Sequence, residues 1–70
     1  MQDVSIYSEF ITLGQLLKLT GIVSAGSEVK EMLAEGGFLV NGEDENRRGK
    51  KLYPDDVITF PDGSQARITT

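Results

Sequence analysis

Four of the seven basic side chains in this 70-residue chain, Arg47, Arg48, Lys50 and Lys51, fall within residues 47–51 of the stretch ENRRGKKLY. The rest of the sequence then carries three positive charges against eleven negative ones. Cations of one sign spaced this closely repel each other unless an anion joins them, and Gly49 in their midst permits a backbone to approach a phosphate. The competing reading is that they only keep an exposed sheet edge soluble. An overall pI near 4.5 excludes a protein that coats nucleic acid with its whole surface, so any polyanion contact is local.

Catalytic chemistry has little to work with. The chain has no histidine and no cysteine, which removes the usual general base, the thiolate nucleophile, disulfides and thiolate zinc sites. No serine lies near a candidate base. The acids Glu43, Asp44 and Glu45 are consecutive, so on an extended segment they alternate between faces and lack the spacing of a calcium loop. They read as a solvated arm. The expectation is a protein that is not an enzyme, with no metal, no cofactor and no small-molecule substrate.

A second group of polar residues lies upstream. At 100° per residue, Val29, Met32 and Leu33 centre one apolar helical face, Glu28, Glu31 and Glu35 gather opposite, and Ser27 and Lys30 fall on a flank. Ser24 is expected to cap this helix, and Gly26 leaves the path from Lys30 to the helix start unobstructed. Free amides and the positive dipole end make such a terminus attractive to anions. Together the two groups could grip two phosphate tracks of a folded RNA, with about four phosphates neutralised and a log–log salt slope of about −3 to −4. Tyr53 could stack on a base, but packing against Leu52 in the core is the stronger expectation.

These residues need elements to place them. Val4 and Ile6 alternate with polar neighbours as in a short strand. Thr12 precedes LGQLLKL, where Leu13, Leu16 and Leu17 form a helical stripe with Lys18 on the opposite face, and Thr20 with Gly21 ends it. The second helix spans AGSEVKEMLAE and stops at Gly36 and Gly37. FLV is a strand, and Asn41 followed by Gly42 a hairpin turn. EDENRRGKK is an exposed arm with Gly49 relieving its tip, and Leu52 and Tyr53 return the chain to the core. Turns at PDD and PDGS frame strands over residues 57–60 and 65–69. The order is β-αα-ββββ or slightly shorter, one domain over residues 1–70 without repeats or linkers.

The succession ITLGQLLKLTGIVSAGSEVKEMLAEGGFLVNGE, continuing to NRRGKKLYPDDVI, resembles the alpha-L RNA-binding motif, the RNA-binding domain of ribosomal small-subunit protein four. Among its members the chain is most similar to the small standalone bacterial ones called YaaA-like. The resemblance runs from about Ser5 to Phe60 and implies an α+β fold, two N-terminal helices packed on a small, mostly antiparallel sheet. It implies RNA held along the second helix and the adjoining hairpin, through Ser24, Ser27, Lys30, Arg47, Arg48, Lys50 and Lys51. It also implies structured ribosomal or transfer RNA as partner and a role in ribosome assembly or translation. Many relatives carry arginine near the start of the second helix where this chain has Ala25 and Gly26, so phosphate contact there would rest on backbone amides.

Two other functions compete with this one. VNGE and YPDDVITF also look like a β-grasp sulfur carrier, but such carriers require a terminal Gly-Gly and this chain ends in Ile68, Thr69 and Thr70. A protein-interaction module could instead use the acidic helix face and residues 43–45 against a basic partner. The start MQDVSIYSEFITL lacks a basic region and a long apolar run, so the expectation is a cytoplasmic protein with no signal peptide and no membrane contact.

Overall fold

Thr12 opens the first helix by a reciprocal cap. Its Oγ1 accepts the Gln15 N–H at 3.2 Å, while Gln15 Oε1 accepts the Thr12 N–H at 2.8 Å. A computed structural model describes residues 1–24 and 26–70. In chain order its elements are β1 (Gln2–Ser5), β2 (Ile11–Thr12), α1 (Leu13–Leu19), α2 (Gly26–Glu35), β3 (Leu39–Val40), β4 (Glu43–Asp44), β5 (Lys51–Leu52), β6 (Val57–Thr59) and β7 (Gln65–Thr69). Among the described residues no helix is long and apolar enough to cross a membrane.

The expected stripe of α1 is buried: Leu13, Leu16 and Leu17 are fully covered. Val29 and Leu33 of α2 face the same core, with Met32 at its margin. These helices cover a five-stranded sheet ordered β1-β7-β6-β3-β4, in which β1 and β7 run parallel and the other pairs antiparallel. Phe38 meets Phe60 edge to face at 6.0 Å between ring centres, and Ile58, Ala66 and Ile68 complete the sheet side of the core. The architecture is the expected α+β one.

Turn chemistry sets the register. Asn41 (φ 52°) and Gly42 (φ 84°) both take left-handed conformations, which closes β3 onto β4 with Val40 opposite Glu43. Asn41 also ties this turn to the next one: its Nδ2 donates to Asp56 Oδ1 at 3.0 Å, and its Oδ1 accepts from Val57 N at 2.9 Å. Helix α2 ends at Gly36 and Gly37, with φ of 85° and 93°. A Cβ at Gly37 would lie 3.1 Å from Pro61 Cβ, so a side chain there is disfavoured by crowding as well as by φ.

The element order is richer than β-αα-ββββ. Five strands follow the helices rather than four, and the segment before α1 adds β2. Strand β2 pairs antiparallel with β5, Ile11 opposite Leu52 and Thr12 opposite Lys51, as a separate two-stranded ribbon. This ribbon carries the basic segment back to the start of α1.

Candidate nucleic-acid interface

An α-helix leaves its first amides without partners inside the helix. In α1 the basic arm supplies them: Leu13 N–H donates to the Lys50 carbonyl at 2.9 Å and Gly14 N–H to the Arg48 carbonyl at 2.9 Å. With the Thr12 cap on Gln15, the opening turn is satisfied, and the arm is stapled to the helix by its own backbone. A tight turn closes the arm, Lys50 N–H donating to the Arg47 carbonyl at 3.1 Å.

Gly14 makes this contact possible. A Cβ there would sit 3.3 Å from the Arg48 carbonyl oxygen, 3.4 Å from Arg48 Cβ and 3.5 Å from Val29 Cγ1. One glycine thus lets α1, α2 and the arm meet. Gly49, in contrast, faces open space and is not among the residues with positive φ, so the arm's tip does not require glycine for its backbone. What Gly49 contributes is the absence of a side chain.

The side chains of the arm line two adjoining hollows. The first, about 270 Å³, has Thr12, Gly14, Gln15 and Lys18 of α1 and its cap on one side, Arg48 and Gly49 on the other, and Val29 below. The second, about 540 Å³ and open, is lined by Arg47, Gly49, Lys50, Lys51 and Tyr53. Among the described residues no carboxylate lines either one. Lys18, on the face opposite the leucine stripe and outside the expected site residues, shares the first hollow with Arg48. It lies one turn beyond Gly14 on the side of α1 that the arm covers.

Arg47 of the arm is already held by an ion pair. Its Nε and Nη2 donate to the two carboxylate oxygens of Glu45 at 2.9 and 3.0 Å, and its backbone N–H adds a third bond at 3.1 Å. Those bonds hold the Glu45 carboxyl down to about 2 against the opposing effect of burial, and the same pairing raises Arg47 above its ordinary value. The Glu45 side chain is 11% exposed and that of Arg47 72%, so the guanidinium still faces solvent.

Acids bound the site on its far side. A third hollow borders Lys50, Lys51 and Tyr53 from the other flank, and Glu43, Asp44, Glu45 and Asp56 line it. Tyr53 therefore stands between a basic and an acidic cleft. The carboxylates of the latter disfavour an anion there.

Tyr53 does not pack in the core as expected. It is 43% exposed, whereas Leu52 beside it is fully buried. Extending the β2–β5 register by one residue sets Phe10 opposite Tyr53, and the rings meet at 5.8 Å with a 50° tilt. Lys51 Nζ lies 4.9 Å over the Phe10 ring. No local pattern in the sequence announces Phe10, because the pairing that places it joins segments about forty residues apart.

The second group is arranged differently from the arm. At Ser24, the expected cap of α2, the hydroxyl donates to Glu28 Oε1 at 3.2 Å and the backbone N–H to Glu28 Oε2 at 3.3 Å. A carboxylate thus already occupies the approach to the start of α2. Ser27 and Lys30 are exposed on the helix, and neither lines the two hollows of the arm. The expectation built on Ala25 lies outside the described residues.

Comparison with known proteins follows the same outline. A family model described as S4 domain matches residues 4–69. A protein of Bacillus subtilis (strain 168) named "Probable ribosome maturation protein RlbA" is 51% identical over 55 residues, covering 79% of this chain and 78% of that relative. Family match and fold agree, and the chain belongs to the S4 domain family.

Proposed function

We propose that this protein is a non-catalytic module that grips structured ribosomal RNA during maturation of the ribosome, in the cytoplasm. The observation that carries this reading is the convergence of Lys18, Arg47, Arg48, Lys50 and Lys51 on two adjoining hollows with no acid in their linings. The remaining surface is acidic, so the polyanion is drawn to one side only. Membership of the S4 domain family and the name of the Bacillus relative support the choice of RNA and of the ribosome.

The full contact set comprises Arg47, Arg48, Lys50 and Lys51 on the arm, Lys18 on α1, and Ser24, Ser27 and Lys30 along α2. The arm is its fixed part, because two backbone hydrogen bonds to α1 order it before RNA arrives. The α2 part works against Glu28, which a phosphate must displace from Ser24.

Binding to purified ribosomal RNA at a series of salt concentrations tests this. With about four phosphates neutralised, the log–log slope is about −3 to −4, and Lys18→Ala/Arg48→Ala flattens it by about two. Lys30→Ala reports on the α2 part alone. Salt-insensitive binding, or a slope unaffected by the arm variant, would overturn the RNA reading in favour of a protein partner on the acidic face of α2.

A further inference from the structure

We infer that the outward face of the β2–β5 ribbon is a subsite for one unpaired nucleotide, its base stacked on Tyr53 and its phosphate held by Lys50 and Lys51. This rests on the RNA-binding reading above and adds what the arm alone lacks, a contact to a base. Phosphate contacts position an RNA, whereas an aromatic face engages a base that has left the helical stack.

Among the described residues Tyr53 is the aromatic one in the lining of the basic cleft, beside Arg47, Gly49, Lys50 and Lys51. Its surroundings order it in advance. The Tyr53 N–H donates to Asp56 Oδ2 at 2.8 Å, its carbonyl accepts from Asp56 N at 3.0 Å, and Phe10 supports the ring at 5.8 Å. A ring already held in place loses little freedom when a base stacks on it. The 540 Å³ of the cleft lies within the range of about 300–1,000 Å³ typical of small-ligand sites.

The charges around the ring give the nucleotide a direction. Lys50 and Lys51 border Tyr53, with Lys51 held at the rim by its position over Phe10. Gly49 presents no side chain where the sugar–phosphate chain must pass. On the opposite flank Glu43, Asp44 and Asp56 repel phosphate. The backbone therefore runs along the arm toward Arg48 and Lys18, and the base turns toward Tyr53. Sequence-tolerant stacking follows, since every base offers a π face.

Two RNA hairpins with the same stem test the subsite, one fully paired and one carrying a single bulged fluorescent adenine analogue. The intact protein binds the bulged hairpin about five- to hundredfold more tightly than the paired one, and binding quenches the fluorophore. Tyr53→Leu, which keeps apolar cover over Phe10 and is checked for folding by thermal unfolding, collapses that difference and the quenching. Tyr53→Phe restores both. Equal affinity of the intact protein for the two hairpins, or quenching that survives in Tyr53→Leu, would overturn the subsite. In that event a steep salt slope that still depends on Lys18 and Arg48 leaves the RNA reading standing, and a flat slope removes both.

Discussion

Glu45 limits what Arg47 can offer. The pair is two-pronged, with bonds of 2.9 and 3.0 Å, so the guanidinium charge is partly spent on the protein's own carboxylate. Replacing Glu45 with glutamine keeps a hydrogen-bond acceptor but removes a negative charge from the edge of the cleft. RNA affinity of Glu45→Gln should rise about two- to fivefold at low salt, and the gain should shrink as salt screens it. The same residue has a pH signature. Its carboxyl is lowered from 4.5 to about 2 on folding, so its contribution is complete above about 4.5 and is lost as pH falls toward about 2. Thermal unfolding across that window should show the wild type losing its advantage over Glu45→Gln. Asp62, lowered by its bonds to Ser64, titrates alike in both proteins and cancels.

Gly14 and Asp55 test the elements that carry these residues. Valine at Gly14 would drive a branched side chain into the Arg48 carbonyl, which lies 3.3 Å from even the first carbon. Gly14→Val should cost about 1–3 kcal/mol and loosen the arm, so RNA affinity should fall more than the folded fraction does, as seen by comparing circular dichroism with binding. Asp55 holds a left-handed φ of 78° at the turn that follows Tyr53. Glycine there should raise the melting temperature by relieving about 0.5–1 kcal/mol, provided the turn's hydrogen bonds remain.

At this scale the sequence was legible where one element contains its own evidence. The leucine stripe of α1, the Asn41–Gly42 turn, and the glycine stop after α2 each follow from residues a few positions apart. Strands β2 and β5 were not legible, because two residues each cannot display a period of two. Their pairing decides that Phe10 meets Tyr53 and that Arg48 meets Gly14. The role of Lys18 was hidden for the same reason: helix geometry shows which way it points, and only the long-range arm shows what lies there.

Across the whole molecule, function depends on charge segregation rather than on net charge. Seven cations against eleven acids would repel RNA if mixed evenly. Here Arg67 is drawn off by Asp3 at 3.6 Å on the far strands, and the arm and α1 gather most of the others. The core that enforces this is small, and a domain of such size has only about 3–5 kcal/mol to lose. Leu16→Ala, at a fully buried position of α1, should therefore unfold most of the protein, since such truncations cost about 2–5 kcal/mol. A chemical denaturation curve would show it.

The most direct measurement is a titration of isotope-labelled protein with ribosomal RNA, followed by the amide shifts of each residue. If cations converging on the arm and α1 form the interface, Gly14, Lys18, Arg48, Gly49, Lys51 and Tyr53 shift together while Glu35 and β7 stay still. Shifts confined to the acidic face of α2, with the arm unmoved, would contradict it.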